Sequence, residues 1–184
     1  MNGNHVVQRC LASLPYSRSS FVYHAISTEG VRVSTHRHGC CVLQRCLDHA
    51  ADEDRVPIIN MVVANARKLV PDPFGNYVVQ YVIELKRPEL TRGIASALQG
   101  DFAELSLQKF SSNVIEKCLH AGDRHVVWMV TADVLLSKAL GQLLHDPFAN
   151  YVLQTLLTVG AEDEVYALLE KLMPHLKTLR STLY

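Results

Sequence analysis

Apolar positions along this chain recur with a helical period, and one stretch sets the pattern for the rest. In Asp72-Pro73-Phe74-Gly75-Asn76-Tyr77-Val78-Val79-Gln80-Tyr81-Val82-Ile83, residues Val78, Val79, Val82 and Ile83 fall into one apolar stripe when laid out at about 100° per residue. Asn76, Tyr77 and Gln80 fall together on the opposite side, within roughly one quadrant. Asp72 is the expected N-cap, with Pro73 at the first helical position. One face is therefore core, and the other is expected to present two amides and a ring. A single such stretch is an ordinary amphipathic helix.

Repetition changes its meaning. Asp146-Pro147-Phe148-Ala149-Asn150-Tyr151-Val152-Leu153-Gln154 repeats the motif. Lys109-Phe110-Ser111-Ser112-Asn113-Val114-Ile115-Glu116 and Arg37-His38-Gly39-Cys40-Cys41-Val42-Leu43-Gln44 vary it, and the chain opens on Asn2-Gly3-Asn4-His5-Val6-Val7-Gln8. The last polar residue of each copy stands at 8, 44, 80, 116 and 154, giving spacings of 36, 36, 36 and 38. Copies in one register predict an all-α solenoid of stacked helical units. Motif helices are expected near 1–12, 38–50, 73–85, 110–121 and 147–159.

Between them, Pro15 to Ser19 reads as a turn and 20–28 as a short helix broken by Gly30. Residues 53–66 read as helical, 88–98 as a helix, 101–108 as a short one, and 123–145 as an apolar helical linker holding Trp128. Ala161 to Met173 carries Val165, Leu168, Leu169 and Leu172 at helical spacing, with Pro174 as its end. Each repeat is thus a short helix, a motif helix and a third helix. Nothing in composition or spacing marks an internal domain boundary.

An apolar share of 48% and a charged share of 20% exclude disorder. No apolar run approaches the ~18 residues of a membrane span. Cys10, Cys40, Cys41, Cys46 and Cys118 form no disulfide framework and point to a reducing, cytosolic setting. Cys10, Cys46 and Cys118 read as small apolar residues, and the Cys40-Cys41-Cys46 spacing does not suit zinc, so no cofactor is expected. With 18 basic and 18 acidic residues, binding by bulk electrostatics is disfavoured, and recognition through groups on one face stays open.

Catalysis requires different residues converging on one point, whereas here one trio is copied in every unit, so no enzyme is expected. A ring beside two hydrogen-bonding groups, repeated once per helical layer, suits stacked planar ligands: the ring stacks on a base and the amides meet its Watson–Crick edge. Asn with Gln offers donors for uracil O4 and O2 and an acceptor for N3–H. Glu116 only accepts, so Ser112 with Glu116 is expected to select guanine, which presents two neighbouring donors.

These five motifs, in this order and spacing, resemble repeats four to eight of the Pumilio homology domain, the PUF family, over nearly the whole chain. The Cys40-Cys41 repeat is most similar to fungal members. The resemblance implies a crescent whose inner face binds single-stranded messenger RNA antiparallel, one base per repeat. It further implies control of stability and translation through 3′ untranslated regions, in the cytoplasm, with deadenylase recruitment, and without membrane or small-molecule substrate. Position by position it implies that Asn150, Tyr151 and Gln154 take U; Ser112, Asn113 and Glu116 take G; Asn76, Tyr77 and Gln80 take U; Cys40, Cys41 and Gln44 take A; and Asn4, His5 and Gln8 take U. The expected site is 5′-UGUAU. Arg9, Arg45 and Lys117 follow the last motif residue and are either phosphate contacts or solvated charges.

The family domain has eight repeats with end caps, whereas this chain opens inside a motif helix and shows no cap motif after Met173, so it reads as part of such a domain. The unit-less side of the first helix (Val6, Val7, Cys10, Leu11) is then expected to fray and self-associate, with weakened RNA affinity. Two alternatives stay open: an armadillo- or HEAT-like protein-binding solenoid, and a PUF remnant without RNA binding.

Overall fold

The computed structural model describes residues 3–181, with side chains as far as 175. Residues 1–2, where the first motif helix is expected to begin, and 182–184 lie outside the described residues. The described residues form helices and turns, with no strand among them. The chain divides into two compact units, Met1–Leu85 and Lys86–Tyr184.

The first unit contains α1 (Gly3–Ser13), α2 (Tyr16–Ser34), α3 (Gly39–His49), α4 (Asp52–Ala64), α5 (Ala66–Leu69) and α6 (Gly75–Glu84). Its core joins Leu43, Cys46 and Leu47 of α3 to Ile58, Ile59 and Val62 of α4 and Val78, Val79, Val82 and Ile83 of α6. The apolar stripe of the Asp72–Ile83 motif is therefore the buried face, as its spacing predicts. Helix α1 packs on α2 and α3. It buries Leu11 but leaves Val6 62% exposed.

Residues 16–19 are helical, not the expected turn. The break expected at Gly30 is present as a kink one residue earlier, where the backbone leaves helical geometry at Glu29 (φ −116°, ψ 15°) before the helix resumes to Ser34. Gly30 serves close packing, since a Cβ there would lie 2.5 Å from Met61 Cε of α4. The predicted 53–66 helix also divides, with α4 ending at Asn65 and α5 forming a separate short turn.

The second unit contains α7 (Pro88–Leu98), α8 (Phe102–Ser106), α9 (Ser111–His120), α10 (Arg124–Leu136), α11 (Leu140–His145), α12 (Ala149–Val159) and α13 (Glu162–Ser181). Its core is built from Ile94 and Leu98, Phe102, Val114, Ile115, Cys118 and Leu119, Val126 and Val130, Leu156 and Leu168. The Asp123 carboxylate accepts from the His125 and Val126 N–H groups at 3.0 and 3.3 Å, capping α10. Arg92 pairs with the same carboxylate at 2.7 Å. The 123–145 linker is two helices, separated at Ser137, whose hydroxyl accepts from the Ala139 N–H at 3.1 Å. Pro174 does not end the last helix but lies inside α13. A proline removes one N–H from the ladder, and α13 keeps its course by packing on α10 and α11. His175 seats against Gly141, where a Cβ would come within 2.9 Å of its Nδ1.

The order short helix, motif helix, third helix is met by α5–α6–α7, α8–α9–α10 and α11–α12–α13. Among the described residues no helix is long and apolar enough to cross a membrane.

Candidate nucleic-acid interface

In both full copies of the motif, a chain of hydrogen bonds fixes the polar face. The α-helix proper begins at Gly75, three residues after Asp72, and the intervening turn is held by the Asp72 carboxylate. Its Oδ1 accepts from the N–H groups of Phe74 (2.9 Å) and Gly75 (2.7 Å), so Asp72 holds the turn that leads into the helix, while the N-cap position itself falls to Phe74 and Pro73 stays outside. Asn76 Nδ2 donates to the Asp72 carbonyl at 2.8 Å, and Gln80 Nε2 donates to Asn76 Oδ1 at 2.9 Å. In α12, Asp146 Oδ1 accepts from Phe148 and Ala149 at 2.8 and 2.9 Å. Asn150 donates to the Asp146 carbonyl at 2.8 Å, and Gln154 donates to Asn150 at 3.0 Å. The two helices belong to different units, and their four corresponding hydrogen bonds agree in length to within 0.2 Å.

This corrects the expectation of two outward amides in α6. Asn76 is only 1% exposed, because its amide is spent on a carbonyl of the first turn and on Gln80. The rings are outward: Tyr77 is 53% and Tyr151 56% exposed, too open to be core.

The other three copies differ. Before α3 the capping position is His36, 36 residues ahead of Asp72, and its Nδ1 accepts from the N–H groups of His38 and Gly39, each at 3.2 Å. Cys40 is buried, Cys41 is exposed, and their sulfurs lie 4.0 Å apart. Burial and the neighbouring Cys41 push the Cys40 thiol up to about 11. Gln44 reaches out of its own repeat, donating from Nε2 to the Tyr77 carbonyl at 3.1 Å.

In α9, Ser112 is buried and its hydroxyl donates to the Lys109 carbonyl at 3.4 Å. Asn113 donates to the same carbonyl at 3.0 Å while remaining exposed. Burial pushes the Glu116 carboxyl above the ordinary carboxylate range, partly offset by His120 one turn on. In α1, His5 is exposed, Gln8 is half-buried, and Asn4 Oδ1 is buried without a partner, so the amide link of α6 and α12 is not formed there. Cys46 and Cys118 are buried, their thiols pushed up to about 12 by burial, as suits apolar packing residues.

The family model for the Pumilio-family RNA binding repeat matches residues 1–20, 31–63, 68–96, 101–129 and 141–173. The chain belongs to the Pumilio family. A Pumilio domain-containing protein of Schizosaccharomyces pombe is 41% identical over 99% of this chain, and Pumilio homolog 12 of Arabidopsis thaliana is 42% identical over the whole of this chain. The chain spans only 27% and 31% of those relatives. Among solved structures, the Puf4 RNA binding domain bound to an HO endonuclease RNA 3′ UTR recognition sequence superposes with a TM-score of 0.84 at 39% identity. That match covers 95% of this chain and 56% of the Puf4 chain. PUF-8 in complex with PBE-RNA also superposes with a TM-score of 0.84, at 30% identity over 98% of this chain and 55% of that one. The all-α solenoid class expected from the repeats is thus the fold of Puf RNA-binding domains.

Within this Pumilio chain, sequence reasoning missed His36 as the equivalent of Asp72. Its register, 36 residues ahead of Asp72, was the available signal, obscured because an imidazole replaces a carboxylate.

Proposed function

We propose that this chain binds single-stranded RNA in a base-specific manner, with a preference for 5′-UGUAU. The observation that carries the reading is the recurrence of one pre-set amide pair beside an exposed tyrosine in α6 and α12, with Glu116 replacing the glutamine between them. In α12, Gln154 retains Oε1 and one amide hydrogen, and Asn150 retains one amide hydrogen. Donor, acceptor and donor match the acceptor, donor and acceptor of uracil. Asn76 and Gln80 share that bonding and are assigned a second U. At α3 a thiol replaces the asparagine, so Gln44 offers one donor and one acceptor, which fit adenine N1 and N6. Both oxygens of Glu116 accept, which fits guanine N1–H and N2–H₂.

Asn4, His5 and Gln8 are assigned the last U, with Tyr151, Asn113, Tyr77, Cys41 and His5 at the stacking positions. The RNA-bound structures of similar Puf domains support the RNA partner. The further role we propose is 3′-untranslated-region recognition leading to translational repression and decay through deadenylase recruitment in the cytoplasm.

The test is a competition titration of UGUAU against single-base variants. Glu116→Gln is expected to lose about 1–3 kcal/mol for the G-containing site, the scale of a lost bidentate base contact, and to move the second position toward U or A. An unchanged ratio of UGUAU to UUUAU binding would refute the assignment.

A further inference from the structure

Between α1 and α3 lies a cavity of about 340 Å³, lined by His5, Gln8, Arg9 and Ala12 of the first helix and Arg45 and His49 of the second. Four of the six carry nitrogen cations or imidazoles, and none is a carboxylate. Beside it, Asp48 pairs with Arg45 at 3.0 Å and also accepts from the Tyr81 hydroxyl. Arg45 thus has an acidic partner on its own helix, and its side chain stays 57% exposed. Between α3 and α6, by contrast, the Asp48–Tyr81 hydrogen bond spans the two helices.

We infer that this cavity is a phosphate site: it takes the phosphodiester that joins the nucleotide on α3 to the nucleotide on α1. The inference rests on the RNA reading above and adds a backbone contact to it. If adjacent bases sit on Cys41–Gln44 and on His5–Gln8, their linking phosphate must cross the gap between those two helices. The lining of that gap supplies two guanidinium forks, the side chains best matched to phosphate oxygens. Arg9 and Arg45 both stand one turn after a stacking residue, so each reaches the backbone side of a stacked base and not its Watson–Crick edge. The contact holds register and carries no base information. It also answers how a chain of zero formal charge gains electrostatic help from RNA: locally, at one linkage.

Binding of UGUAU RNA is measured as a function of salt for the wild type, Arg9→Gln, Arg45→Gln and the double variant. Each single change is expected to weaken binding by about two- to fivefold near physiological salt, the scale of an exposed ion pair. In the double variant the plot of log affinity against log salt should flatten by about 0.7, the single-strand value for one neutralised phosphate, with each single change giving part of that. The loss should be equal for RNAs altered at the fourth or fifth base. An RNA carrying one neutral methylphosphonate at the linkage between those bases should bind the wild type and the double variant equally.

Unchanged slopes, or a loss confined to one base, would overturn the phosphate site while leaving base reading intact. An Arg9 or Arg45 effect that persists undiminished on the methylphosphonate RNA would also overturn it. Failure of the wild type to prefer UGUAU over scrambled RNA would overturn the base reading. Absence of RNA binding would overturn both.

Discussion

At the scale of the residue, exposure separates stacking platforms from packing residues. Tyr77 and Tyr151 leave more than half their surface open, so alanine at either should barely move the unfolding midpoint. RNA affinity should fall by about 1–3 kcal/mol with base preference kept, as for a lost stacking platform. A drop in stability without a drop in affinity per folded molecule would contradict this.

Glu116 gives a pH signature. Burial raises its carboxyl, so the folded chain holds this proton at higher pH than the unfolded chain does. The stability tied to that proton is present below the unfolded value and lost as pH rises through the folded one. Guanine recognition has the opposite sign, because both oxygens must accept. The preference for G over U at the second base should therefore weaken on acidification, at higher pH than ordinary carboxylates protonate, and stay flat in Glu116→Gln. Competition binding at two pH values checks both. Sequence alone identified the ring, amide and carboxylate positions, but not that Asn76 is buried. A helical projection assigns a direction, and it cannot show that a first-turn carbonyl will claim the side chain.

At the scale of the element, the motif helices were legible because each couples an apolar stripe to a polar signature. The break near Gly30 was legible to within one residue, whereas Pro174 misled: α13 runs on past it while packed on α10 and α11. The capping residues carry the prediction here. Asp72→Ala and Asp146→Ala should each cost about 1 kcal/mol of stability, the usual loss for a removed cap. His36→Asp should preserve or slightly raise stability, since a carboxylate accepts the same two N–H groups and favours a helix N-terminus by about 0.3–1 kcal/mol. His36→Ala should lower it. Urea midpoints read all four, and a loss in His36→Asp equal to that in His36→Ala would deny His36 its capping role.

At the scale of the molecule, stability in stacked repeats is a sum of local terms, so it should vary along the chain. Helix α1 buries Leu11 alone, whereas α9 buries Ser111, Ser112, Val114, Ile115, Cys118 and Leu119. Amide hydrogen exchange should accordingly be fastest in Gly3–Ser13 and slowest in Ser111–His120 within the second unit. Uniform protection across both helices would show that burial is not what sets local opening.

The bond from Gln44 to the Tyr77 carbonyl bears on how such a chain spells its target. The glutamines of α6 and α12 are tied within their own repeats, and each can answer to its own base. Gln44 is anchored to the backbone of Tyr77, the ring to which the proposed reading gives the preceding letter. On that reading, a wrong base on Tyr77 would disturb the footing of the amide assigned to the next one. Letters three and four would then be proofread as a pair, and two errors together would cost something other than the sum of each alone.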